Sequence, residues 1–216
     1  MSTLILIDLD GTLLNTPHFE AWRNTAFKIG GIELIHEEYI DHIAGRPRME
    51  GASRLLELKR DAQDQGEFHS LNASELADYK QKEFQRLCVG TELFSDALHL
   101  LQRIDDARLT VIFYTASQNA SDLFDITLRQ SALSLKQAKT VFQQSANQTR
   151  GELFQQLIGT RPAKDIHLID DSPYAVDLAC SLGVHAWQIR RNQREPRARD
   201  PRVSILSSLD EFMLPK

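Results

Sequence analysis

LILIDLDGTLLN, residues 4–15, sets an aliphatic run against two aspartates, Asp8 and Asp10, with a single residue between them. A short continuous apolar run reads as a strand buried on both faces, the kind found in parallel sheets. Two like charges at the end of such a strand are costly, because a buried carboxylate loses its hydration and repels its neighbour. Something must cancel that charge. Gly11 follows at once and permits a tight backbone at this point.

Working outward, three further runs have the same character: Leu109–Tyr114, Ile166–Ile169 and Val184–Ile189. Weaker strands are expected at Thr140–Phe142 and Val203–Leu206. Helical patterns separate them, at Phe94–Arg103, Ser121–Arg129, Gly151–Ile158 and Pro173–Leu182. Strands alternating with helices predict an α/β fold, a three-layer Rossmann-like core with a parallel sheet. From about Asn15 to Gly90 the rhythm breaks. That interval is helical by pattern throughout: Phe19–Ile29, Glu37–Ile43, Met49–Asp64 and Ala73–Leu87, the last expected to start near Ser74. The division that follows is a discontinuous core, residues 1–14 and 91–216, with an all-helical insertion at 15–90.

Composition narrows the class. The chain has 216 residues, 42% hydrophobic and 25% charged, enough to bury a real core, and its net charge of −5 argues against nonspecific binding of nucleic acid or anionic membrane. Cys88 and Cys180 stand far apart without metal-ligand spacing and read as reduced thiols of a cytoplasmic protein. No export signal or membrane-crossing stretch is expected: the first apolar run meets Asp8 too early. RRNQREPRARDPR, residues 190–202, is expected to be a solvated loop, and SSLDEFML, residues 207–214, a terminal amphipathic helix.

Ligands of open parallel sheets bind beyond the carboxyl ends of the strands. The first strand ends in Asp8 and Asp10, the second in Thr115, Ala116 and Ser117, and Ile166–Ile169 in Asp170 and Asp171. Four acids and a hydroxyl therefore converge on one edge. A hard divalent cation with oxygen ligands resolves the repulsion, and Mg²⁺ is the usual choice where phosphate is also bound.

DLDGTLLN, a strand ending in Thr115, and LIDDSPYAV resemble, in order and over nearly the whole chain, the motifs of the haloacid dehalogenase superfamily, in its phosphatase and phosphotransferase branch. The resemblance implies a Mg²⁺-dependent phosphomonoester hydrolase acting on a small phosphorylated metabolite. Asp8 is then the nucleophile that forms an aspartyl-phosphate, and Asp10 the acid and base. Thr115 donates to a phosphoryl oxygen, with Gly11 and Ser117 on the substrate side. Asp8, the Asp10 carbonyl and Asp171 hold Mg²⁺, with Asp170 acting directly or through water. The family also expects a basic residue before the last motif. Arg150 is the first candidate, Lys139 and Lys164 the runners-up.

The inserted helices correspond to the family's cap. TPHFEAWRNTAFKIGG (16–31) and HIAGRPRMEG (42–51) resemble β-phosphoglucomutase and its sugar-phosphatase relatives, which implies substrate contacts from His18, Arg48 and Lys80. Two alternatives remain open at this point: a β-phosphoglucomutase-like phosphosugar mutase, and a catalytically silent binding or regulatory protein. Neither nucleic acid nor membrane is an expected partner, and a monomer or small homo-oligomer is expected.

Overall fold

The computed structural model describes residues 3–44, 46–60, 71–117, 119–131, 133, 135, 141–145 and 148–215. Contacts divide the chain into two compact units, Met1–Thr16 with Glu92–Lys216, and Pro17–Thr91. Asn15 and Thr16 belong to the first unit because Asn15 N donates to Glu92 O and Leu14 pairs with Leu93 in an antiparallel bridge.

Among the described residues the first unit is built on six parallel strands: β1 (Leu4–Asp8), β2 (Thr110–Thr115), β3 (Val141–Gln143), β4 (Ile166–Asp170), β5 (His185–Ile189) and β6 (Ser204–Leu206). Their order is β3-β2-β1-β4-β5-β6. The chain moves outward from β1 through β2 to β3, then returns to the other side of β1. The strand order therefore reverses between β1 and β4, which is where such sheets open a ligand crevice. Both weak runs form strands, β3 and β6, although Thr140 lies outside the described residues.

Side chains alternate between faces along a strand. Ile5 and Ile7 join a core with Leu100, Leu101, Phe113, Leu209 and Phe212 on one face. Leu4 and Leu6 join Tyr114, Leu153, Phe154, Leu168 and Val176 on the other. The covering helices are α5 (Ser95–Asp106), α6 (Ala120–Gln130), α7 (Arg150–Ile158) and α8 (Pro173–Ser181). Thr149 caps α7, its hydroxyl accepting from Glu152 N, and Ser172 caps α8 with Pro173 in the first turn.

The second unit comprises α1 (His18–Gly30), α2 (His36–His42), α3 (Arg48–Arg60) and α4 (Ala73–Leu87). Its core gathers Trp22, Ala26, Leu34, Ile43, Leu55, Leu56 and Leu76. Helix α4 is capped by Asn72, whose side chain accepts from Glu75 N, rather than starting at Ser74. The part of the expected third helix beyond Arg60, and most of the break after it, lie outside the described residues.

One expectation is corrected. SSLDEFML forms a single 3-10 turn, Leu209–Glu211, not a helix; Leu209 and Phe212 still bury themselves against the sheet. The arginine-rich segment is the exposed loop expected, and it is also anchored at several points. Arg190 Nε donates to Glu195 O at 3.0 Å, Arg191 pairs with Asp96 at 2.5 Å, and the Asp177 carboxylate accepts from the backbone of Arg199 and Asp200. Among the described residues no helix is long and apolar enough to cross a membrane.

Candidate active site

The alternation that buries Leu4 and Leu6 puts Asp8 on the same face, and the one that buries Ile166 and Leu168 does so for Asp170. The register pairs Asp8 with Tyr114 and Ile7 with Ile169, so Asp8, Tyr114 and Asp170 finish three adjacent rows. Asp171 extends one residue further. One carboxylate oxygen each from Asp8, Asp170 and Asp171 lies within 4.8 Å of the others.

Asp10 points its carboxylate elsewhere. Its Oδ2 accepts a 3.1 Å hydrogen bond from Thr115 Oγ1, which in turn accepts from Ser117 N at 2.9 Å. The predicted residues thus fall into two groups, an acidic trio and a chain from Asp10 through Thr115 to Ser117. Gly11 joins them. It adopts φ +77°, and a Cβ there would lie 2.3 Å from Asp171 Oδ2, so both conformation and space demand glycine.

Arg150 opens α7, with its guanidinium over the rings of Tyr114 and Phe154 at 5.7 and 5.9 Å. Its Nη1 is buried without a hydrogen-bond partner among the described residues. Burial works against its charge, yet Asp170, Tyr114, Asp8 and Asp171 outweigh that and hold the guanidinium firmly protonated. Lys164 sits exposed in the 3-10 turn before β4, at the opposite end of the sheet, and Lys139 lies outside the described residues. Arg150 is therefore the basic candidate that the fold brings to the acids.

Burial, then the charges of Asp170 and Asp171, push the Asp8 carboxyl well above its usual range, against the pull of Arg150. Asp171 is raised by burial and by Asp170. Asp170 is raised by burial too, but Arg150, Tyr114 and Ser172 N oppose it. Asp8 is thus not ionised merely because it is an aspartate. Its charge depends on a counter-charge beside it. Three carboxylates against one guanidinium leave a surplus of two negative charges, the charge of one divalent cation. Hard oxygen donors on adjoining strand ends fit such an ion.

Several supporting residues escaped the sequence reading. Tyr114 Oη donates to Asp170 Oδ2 at 2.6 Å, and burial and the two nearby acids hold the phenol protonated. Thr12, fully buried, accepts from Asp171 N at 3.0 Å, while Gln188 Nε2 donates to Asp171 O at 3.0 Å. The threonine of D-x-D-G-T was visible in the motif; the Gln188 and Tyr114 bonds had no local signal.

The remaining predicted residues belong to the helical unit. Lys80 is buried in α4, its Nζ 2.9 Å from His18 Nδ1 and 4.3 Å from the Phe84 ring centre, and His18 stacks on Phe84 at 4.4 Å. Arg48 is exposed at the start of α3 and donates to Gln81 Oε1. The structure joins His18 to Lys80, and Arg48 to Gln81, the residue that follows Lys80.

No protein-family model matches the chain, and no curated protein does. Solved structures do. A haloacid dehalogenase-like hydrolase from Streptococcus pneumoniae matches at 15% identity over 97% of this chain and 96% of that one, with a TM-score of 0.73. A β-phosphoglucomutase from Clostridium difficile matches at 19% over 99% and 94%, TM-score 0.71. CbbY from Rhodobacter sphaeroides, a variant in complex with xylulose-1,5-bisphosphate, matches at 18% over 98% and 96%, TM-score 0.69. This chain has the haloacid dehalogenase-like fold. The likeness extends over nearly the full length of both chains, and in this fold the acidic trio stands at the carboxyl edge of the sheet, beside the reversal of strand order.

Proposed function

We propose that the chain is a Mg²⁺-dependent phosphomonoester hydrolase acting on a small phosphorylated metabolite, a sugar phosphate by preference. One observation carries the reading: Asp8, Asp170 and Asp171 converge at the carboxyl edge of a haloacid dehalogenase-like sheet, with Arg150 near enough to oppose their charge. Asp8, Asp170, Asp171 and the Asp10 carbonyl would hold Mg²⁺. When bound, that ion neutralises the surplus acid charge and shields Asp8 from the incoming phosphate.

The residues divide the rest of the work. An Asp8 carboxylate oxygen bonds to phosphorus as the ester oxygen–phosphorus bond breaks. Asp10 gives its proton to the leaving oxygen, and its link to Thr115 orients it for that transfer. Asp10, now a carboxylate, takes a proton from water as the water oxygen attacks phosphorus. Asp8 is released and inorganic phosphate departs. Arg150 holds the phosphoryl oxygens; the Thr115 hydroxyl, whose single proton goes to Asp10 here, joins it by turning to them once Asp10 carries its own proton. For the helical unit we keep the role the resemblance implies, contact with the non-reacting part of the substrate through His18, Arg48 and Lys80.

A panel of phosphate esters assayed with Mg²⁺ and with chelator tests the reading. Release of phosphate that chelator abolishes is expected; no release from any ester would overturn it. The mutase alternative has the β-phosphoglucomutase fold in its favour. β-Glucose 1-phosphate with the bisphosphate primer separates the two: hydrolysis gives free phosphate, mutase activity gives glucose 6-phosphate.

A further inference from the structure

The Asp170 carboxylate is held at both oxygens, from two directions. Oδ2 accepts from Tyr114 Oη at 2.6 Å, reaching across from β2, and Oδ1 accepts from Ser172 N at 2.8 Å, in the turn into α8. Each carboxylate oxygen has a second acceptor lobe, so two bonds fix the group without exhausting it. Tyr114 is itself closely packed. It is fully buried, its ring meets Phe154 edge-on at 5.5 Å, and Arg150 lies over it at 5.7 Å. At this central strand position a phenylalanine would fill the same space without a hydroxyl to satisfy. The hydroxyl is spent on Asp170.

We propose that Tyr114 is a positioning residue for the acidic trio: its hydroxyl fixes the Asp170 carboxylate so that the trio holds a divalent cation. Arg150 attracts the acids but adds charge that competes with a cation. Tyr114 orients one of them and adds none. Groups that orient ligands in this way set metal affinity without touching the metal. The proposal rests on the hydrolase reading above.

The test compares the wild type with Tyr114→Phe, which removes one oxygen, and Phe154→Leu, which loosens the same ring but keeps the hydroxyl. Mn²⁺ binding is followed by electron paramagnetic resonance, and the Mg²⁺ dependence of hydrolysis is measured alongside. In Tyr114→Phe the Mn²⁺ dissociation constant and the half-saturating Mg²⁺ concentration are expected to rise about tenfold or more. Phe154→Leu is expected to keep wild-type affinity. Unchanged affinity in Tyr114→Phe overturns the proposal and leaves the hydrolase reading standing, as does an equal loss in Phe154→Leu. A wild type that neither binds Mn²⁺ nor hydrolyses any ester overturns the hydrolase reading, and this proposal with it.

Discussion

The carbonyl of Thr12 accepts a 2.6 Å hydrogen bond from Arg191 Nη2. Through its hydroxyl Thr12 also holds Asp171 N, so one residue ties the turn after β1 to the end of β4 and to the segment after β5. Arg191 is fixed in turn by Asp96, which also accepts from Leu209 N at 2.8 Å, and by the Phe94 ring 3.9 Å away.

Arg191→Met leaves the buried Asp96 carboxylate without its cation and frees the Thr12 carbonyl. Breaking a buried pair from one side costs more than the pair contributes, so a loss of about 3 kcal/mol in urea unfolding is expected. Adding Asp96→Asn restores part of that stability. Hydrolysis stays reduced in the double variant, because the Thr12 contact is still missing.

Asp8→Asn removes the proposed nucleophile, and phosphatase activity is expected to fall at least about a thousandfold. The same change removes a buried acid whose ionisation burial, Asp170 and Asp171 all oppose. Without metal, the variant is therefore expected to melt higher than the wild type, and Mg²⁺ to raise its Tm less. Calorimetry with chelator and with Mg²⁺ checks both signs. A variant less stable than the metal-free wild type contradicts the view that these acids are in mutual conflict.

The central strands were legible because their burial on both faces leaves little choice of residue; β1 is aliphatic until its final aspartate, and β4 departs from that only at the half-buried His167. Their ends identify the acidic trio by the same logic. What escaped was long-range. Tyr114 looks like the last apolar residue of its strand, and only the neighbouring rows show that its hydroxyl reaches Asp170. Arg191 looks like one arginine among several. Leu209 and Phe212 have helical spacing, but one 3-10 turn satisfies an i, i+3 pair just as well. In the helical unit Lys80 sits in a charged stretch that reads as solvated. Phe84 one turn on, with Trp22 from α1, buries it instead. The start of α4 was recoverable, since Asn72 with Glu75 three residues later is a capping-box pattern.

Gly11→Ala asks a residue with a Cβ to adopt φ +77° and to displace Asp171 Oδ2. Backbone strain of this kind costs on the order of 1–3 kcal/mol. The Cβ also pushes on a proposed metal ligand, so activity is expected to fall further than stability. A weakened response to Mg²⁺ in the variant checks this. Full activity at ordinary Mg²⁺ concentrations would show that Asp171 can move without consequence.

Glu83 gives the helical unit its own pH dependence. Its buried carboxylate accepts from Arg86, Lys28 Nζ at 2.6 Å and Asn24 Nδ2 at 3.0 Å, so it links α4 to α1. Hydrogen bonding from Arg86 foremost, against the opposing effect of burial, holds its pKa at about 2, below the ordinary 4.5. The folded state therefore favours the ionised form. Its contribution is fully present above about 4.5 and is lost as pH falls through about 2. Lys28 and Arg86 are largely exposed, so water screens the network and the effect is expected to be about 1 kcal/mol. Trp22 reports on this unit and Trp187 on the other, so a Trp187→Phe background isolates the signal. In that background, stability is expected to decline over this acid range, and Glu83→Gln to start lower and decline less. Parallel pH profiles for the two would show that Glu83 holds no more favourable charge in the folded unit than in the unfolded chain.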